Sequence, residues 1–233
     1  MKKGEFCMEK TNIIKKYEKV LMACPLLAGI PTNQYEDALT FLQAKVVHLA
    51  KHEILQQLDA PFRYAGIVLS GSIEGSFINE NDAKISINRF DAGKLYGEAL
   101  GCVQPPHSPI QLEALQDSLV LLVNLSAMHQ EKESLSGFQY HLAMNLIHGL
   151  AHQNIYQNYK VRILSQKKLR DRIGIFLHGQ PRGKDGSILV KLTVTAMAEF
   201  LGANRSALSR ELGLMQDEGL LRIEGRRFFL TQP

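Results

Sequence analysis

Near the C-terminus, apolar residues recur at helical spacing in two short runs. Met197, Phe200 and Leu201 share one face, and Leu208, Leu212 and Met215 fall in one stripe, four and seven residues apart. Thr193 is placed to cap the first run, because its hydroxyl can accept from an unpaired amide of the first turn. Gly202 ends that run, since glycine enters the left-handed conformation without a Cβ penalty. Asn204 is placed to cap the second. After Gly219, Leu220–Ile223, a Glu224–Gly225 turn and Arg226–Leu230 read as strand, turn and strand. The pattern predicts a winged helix-turn-helix. Ahead of it, Lys167 to His178 predicts one more helix, with Leu169, Ile173, Phe176 and Leu177 inward, and Ser187–Leu192 predicts a strand.

Between Lys45 and about Leu125 the period shortens to that of strands. Val46–Leu49, Gly66–Leu69, Ile73–Ile78, Lys84–Phe90 and the region from Leu112 to Leu125 are separated by polar or glycine turns such as Asn79–Asp82. Many short strands predict a β-sandwich or jelly roll. Residues before about 42 are helix-rich, with Asn33 placed to cap a short helix through Tyr35, Leu39 and Leu42. Gly137 to about Gln166 is the longest helical stretch. Ile147, Leu150, Asn154, Gln157, Val161 and Leu164 alternate three and four apart along it, the spacing of a coiled-coil seam. The fold class is α+β. A β-roll with N-terminal helices occupies 1–125, a dimerisation helix region 126–166, and a winged helix-turn-helix 167–233.

Charge sharpens this division. The formal net charge is +4, but from Lys160 onward there are fourteen Lys and Arg against seven Asp and Glu. A basic back and a slightly acidic front point to nucleic acid contact through the C-terminal part. Arg205, Ser206, Ser209 and Arg210 share a helix face that carries no acidic residue. A planar guanidinium matches the O6/N7 pair of guanine, whereas serine serves base edges or phosphate. Arg226 and Arg227 on the wing are candidate phosphate contacts. A solvated basic face is the plainer reading of the same residues.

The C-terminal stretch resembles the DNA-binding domain of the bacterial Crp/Fnr transcription regulators. Their recognition helix carries an Arg-x-x-x-x-Arg pair, matched here by Arg205 and Arg210; Ser206 stands where many relatives have glutamate. Val68-Leu-Ser-Gly-Ser-Ile73, Phe90-Asp-Ala-Gly93 and Gly97-Glu98 resemble the cyclic-nucleotide-binding β-roll of the same regulators. The resemblance implies a homodimer on a pseudo-palindromic double-stranded DNA operator, with RNA polymerase as a further partner. It also implies effector contacts at Gly97 and Glu98, whose backbone and carboxylate would meet a cyclic phosphate and its ribose. Where relatives carry the phosphate-neutralising arginine and its hydroxyl neighbour, this chain has Ser108 and Pro109, with His107 the nearest cation. An unpaired buried phosphate is costly, so cyclic AMP and GMP are disfavoured and the effector is unknown. Counted back from the next helix, Gln157 and Asn158 fall near where the resemblance implies contact with the effector's base, though a dimer-seam or surface amide is the plainer reading of both. For Glu98 the plainer role is a surface carboxylate at a helix start.

Cys7, Cys24 and Cys102 are too few and too widely spaced for the four thiolates of an iron–sulfur cluster, so none is expected, nor any other cofactor. His148 and His152 lie four apart with no intervening glutamate, and no metal site or catalytic set is expected. An alternative from another class is a cupin-like metal enzyme using His48, His52, His107 and Glu98. A small-molecule binding module with a basic tail is a third reading. The longest apolar run, Val20 to Ile30, is interrupted by Pro25 and too short to cross a bilayer, so the expected location is cytoplasmic, away from membranes.

Overall fold

A computed structural model describes residues 10–81, 83–129 and 137–231. The chain forms two compact units, one up to Ala151 and the other from His152 onward. Cys7 and the Asp82 position of the Asn79–Asp82 turn lie outside the described residues.

The first unit opens with α1 (Lys10–Met22), a 3-10 turn at Pro25–Leu27, a second at Thr32–Gln34 and α2 (Tyr35–Phe41). Asn33 lies inside that second turn, so Gln34 rather than Asn33 is the N-cap of α2, without a side-chain cap bond. Strands follow as β1 (Lys45–Leu49), β2 (Ile54–Gln56), β3 (Ala65–Ser70), β4 (Ser72–Ile78), β5 (Lys84–Asp91) and β6 (Leu95–Tyr96). Then come α3 (Glu98–Val103), β7 (Gln111–Ala114) and β8 (Ser118–Val123). They make two four-stranded antiparallel sheets in the orders β1-β8-β3-β6 and β2-β7-β4-β5, the jelly-roll arrangement that the strand spacing predicts.

Alternation along the first sheet explains its two cores. Ala65, Ile67 and Leu69 of β3 pack with Leu21, Leu26, Leu39 and the other helix residues on one side. Val68 faces Val47, Val120, Ile73 and Leu112 between the sheets. A strand buried on both faces must be apolar throughout, which is why Gly66–Leu69 reads as an uninterrupted run.

α4 (Gly137–Leu164) is a single helix of 28 residues. Near its start Asn145 donates to the carbonyls of Leu26 and Ala28 (3.0 and 2.7 Å), fixing it on the Pro25–Leu27 turn. The second unit contains α5 (Leu169–His178), β9 (Ile188–Leu189), α6 (Val194–Phe200), α7 (Arg205–Asp217), β10 (Leu221–Glu224) and β11 (Arg227–Leu230). Its small sheet runs β10-β11-β9. The strand expected over Ser187–Leu192 is only two residues long: Leu189 meets Arg227, the first residue of β11, and on the other side Ser187 bonds back to Asp185 and Gly183.

Candidate nucleic-acid interface

Local chemistry builds the helix-turn-helix. Thr193 Oγ1 accepts from Ala196 N at 3.1 Å and starts α6; Asn204 Oδ1 accepts from Ala207 N at 2.7 Å and starts α7. Between them Gly202 takes φ +62°, the left-handed conformation that turns the chain. Leu208, Leu212 and Met215 then bury one face of α7 against Ile173, Met197 and Leu201. Burying that stripe leaves Arg205, Ser206, Ser209 and Arg210 exposed together on the other side.

Two arginines that the sequence pattern does not single out hold this geometry. Arg170 on α5 donates through Nε to Glu211 (2.7 Å) and through its Nη atoms to Glu218, clamping both ends of the exposed helix's rear half. Those bonds hold the Glu218 carboxyl below its usual range. Arg172 donates to the carbonyl of Gln166 (2.8 Å) ahead of α5 and to those of Leu201 (3.0 Å) and Gly202 (3.3 Å), oxygens that the end of α6 leaves unpaired. Phe200 is set by Phe176 and Tyr159, ring centroids 5.4 and 6.4 Å away. The Tyr159 hydroxyl donates in turn to the Phe176 carbonyl at 3.0 Å.

The exposed polar groups differ in what they already hold. Arg205 and Arg210 have no hydrogen-bond or ion-pair partner among the described residues, so all their donors face solvent. Ser206 donates its hydroxyl back to Asn204 Oδ1 at 2.9 Å. The wing turn is Gly225–Arg226, one residue later than the sequence suggests, because Glu224 pairs with Arg227. Gly225 takes φ +61° there, which puts Arg226 at the hairpin tip. Arg227 instead donates to Asp185 Oδ2 at 3.0 Å, tying the wing to the 182–187 loop. That bond brings Arg182 and Lys184 beside the wing around one shallow surface depression. The loop's place in this basic group follows from a long-range pairing and has no local signal.

The candidate effector residues are distributed over both units. Gly97 (φ +68°) caps α3, and Glu98 is half-buried in its first turn. Ser108 is fully buried; its hydroxyl donates to the Ile110 carbonyl at 2.7 Å, and its amide donates to Ala60. Gln157 and Asn158 belong to the second unit and are exposed on α4, where Asn158 donates to Asn154 at 2.8 Å. Of the histidines weighed for a metal, His52 lies 3.0 Å from Glu113 and His107 lies 3.2 Å from the Asp59 carbonyl. Among the described residues no three His, Cys, Asp or Glu side chains are grouped to hold a metal ion. Among them, too, no helix is long and apolar enough to cross a membrane.

Residues 171–233 match the Crp-like helix-turn-helix domain. The chain's fold is similar to that of the catabolite activator protein of Thermus thermophilus, with a TM-score of 0.52 at 17% identity over 89% of this chain and 93% of that one. It is similar also to the c-di-GMP-responsive global regulator CLP of Xanthomonas campestris, with a TM-score of 0.51 at 18% identity over 87% and 100%. No curated protein matches the sequence. A β-roll joined to a winged helix-turn-helix defines a DNA-binding transcription regulator. More particularly, the helix-turn-helix of residues 171–233 is Crp-like, and it holds the Arg205–Arg210 pair on which the resemblance to the Crp/Fnr regulators rests.

Proposed function

We propose that this regulator works as a homodimer that places two copies of α7 in successive major grooves of a pseudo-palindromic operator. Half-sites then lie roughly 34–36 Å apart, one helical turn. Arg205 and Arg210 read base edges, while Ser206, Ser209, Arg226 and Arg227 position the protein on phosphates. The observation that carries this is a pair of exposed guanidinium groups, without a partner among the described residues, on a helix whose opposite face is locked into the core. Dimerisation through α4 is supported by Tyr140, Ile147, Val161 and Leu164, large apolar side chains 39–64% exposed along that helix, the last three at the seam spacing.

In this reading residues 1–125 sense, 126–166 pair the subunits and 167–233 bind DNA, inside the cytoplasm and in contact with RNA polymerase. The protein has no catalytic role. Its effector acts through the β-roll and is not cyclic AMP, since Ser108 brings no charge to a phosphate and its hydroxyl already bonds to Ile110. Gly97, Glu98, Gln157 and Asn158 remain the effector contacts that the resemblance implies. An effector acts only as far as it binds one arrangement of the protein better than another.

Selection of duplexes from a random pool by the full-length protein should return an inverted repeat. Arg210→Ala should then cost about 1–3 kcal/mol of discrimination at one position of each half-site. Recovery of no repeat, or unchanged discrimination in the variant, would overturn the reading.

A further inference from the structure

The β-roll holds a cavity of about 300 Å³ between the two sheets, and neither Glu98 nor Ser108 is among the residues that line it. Its size is at the lower end for small-molecule sites. Val47, Leu55, Phe62, Leu112 and Leu122 give it an apolar interior. Lys45 and Arg63, both exposed, stand on its rim. Among the described residues neither is paired with an acidic side chain. Lys45 Nζ lies 5.8 Å from the centre of the Tyr64 ring, which also lines the opening.

Strand register explains the polar group inside. Lys45 pairs with Leu122, Leu122 with Gly66, and Gly66 with Tyr96, so these four positions form one row across the sheet on its inner face. Gly66 has no side chain, and the Tyr96 ring lies in that space; a Cβ there would collide with the phenol oxygen. The hydroxyl is thus carried one strand inward along the row, towards Leu122 and Lys45. It is completely buried and has no hydrogen-bond partner among the described residues. A buried donor left unpaired is expensive, so its persistence asks for an acceptor. Two strand spacings, roughly 10 Å, separate the row position of that hydroxyl from Lys45.

We infer that this cavity binds a small aromatic carboxylic acid whose carboxylate meets Lys45 and Arg63 and whose far-end oxygen accepts from Tyr96. The apolar lining takes the ring, the cationic rim takes the charge, and the buried phenol reads the opposite end. Its role as a switch rests on the regulatory reading above, whereas binding itself does not.

Isothermal calorimetry on the full-length protein with 4-hydroxyphenylacetate as probe tests the site directly, with its neutral amide and cyclic AMP as controls. The acid should bind, and the amide should bind at least tenfold more weakly. Tyr96→Phe keeps the ring and should melt no lower than the parent, while binding the acid about tenfold more weakly. Lys45→Met with Arg63→Met should also lose at least tenfold. No heat with the acid at millimolar concentration, equal affinity for the amide, or undiminished binding in either variant would overturn the site. DNA anisotropy with and without the acid reports separately on regulation: binding without any change in DNA affinity would keep the site and remove its switching role.

Discussion

Two glycines in the helix-turn-helix should respond to alanine with opposite signs. Gly202 has φ +62°, and an added Cβ would lie 2.9 Å from Leu164 Cδ2 and 3.5 Å from Arg172 Nη1. Placing an L-residue in the left-handed region costs about 1–2 kcal/mol. Loss of glycine's freedom in the unfolded chain offsets about 0.4–1 kcal/mol of that. The Leu164 methyl must also shift, and Arg172 must keep its bonds to the Leu201 and Gly202 carbonyls. A net loss of about 1 kcal/mol follows from these terms. Gly213 lies inside α7, where an added Cβ meets nothing within 4 Å. Alanine there removes a helix-interior glycine and should stabilise by about 0.5–1 kcal/mol. For a unit of this size 1 kcal/mol moves the melting temperature by about 4–8 °C. Scanning calorimetry of the full-length protein should show the DNA-binding unit melting lower in Gly202→Ala and higher in Gly213→Ala. Shifts of the same sign, or an unmoved Gly202→Ala transition, would refute the assignment of the turn.

On the wing, Arg226→Ala should weaken all duplexes alike and flatten the dependence of log K on log salt by about 0.9 for each phosphate the side chain had neutralised. Arg227→Ala should flatten it less, because that guanidinium already holds Asp185; anisotropy titrations over a salt series compare the two. In the β-roll, hydrogen bonds from Lys84 foremost hold the Glu74 and Glu113 carboxyls below their usual range, helped by Ser86 and His52 respectively. Groups with depressed pKa values stabilise above their unfolded pKa and lose that contribution as pH falls through the folded one. Denaturant midpoints should therefore drop on acidification through the carboxylate range, and less steeply in Lys84→Met; parallel pH profiles would count against the cluster. Burial pushes the Cys24 thiol up to about 11, so peptide mapping should find it alkylated only on unfolding, after the half-buried Cys102.

The DNA-binding half was legible because its signals are local. Thr193, Gly202 and Asn204 each act within three or four residues of themselves, and the Leu208–Met215 stripe needs only helical period. The roll was legible as a class and less so strand by strand. β2 and β6 have three and two residues, too short for any alternation to register. Ser187–Leu192 shows the reverse error: a strand-like sequence paired over two residues, because β11 begins at Arg227 on one side and Ser187 bonds back to its own loop on the other. What stayed hidden depends on distance along the chain. Arg170 meets Glu211 and Glu218 across 41 and 48 residues, and Arg227 meets Asp185 across 42. Nothing in the local sequence separates Arg226 from Arg227.

Those pairings also change what the basic excess means. An arginine contributes to DNA affinity by displacing counterions from phosphates, and one already bound to a carboxylate must first give up that partner. Arg170 and Arg227 are paired, Arg222 is held by Glu224 and lies 4.4 Å over the Phe229 ring, and Arg172 is committed to backbone carbonyls. The net charge of the C-terminal part therefore overstates the charge available at the interface. Arg205 and Arg210 on the exposed helix face, with Arg226 at the wing tip and Arg182 beside it, are exposed arginines without such side-chain partners among the described residues. In the proposed reading their positions, rather than the net charge, set how many phosphates or base edges one subunit can engage. Neutralising Arg170 should accordingly loosen α7 and weaken DNA binding, with a smaller change in salt slope than neutralising Arg226.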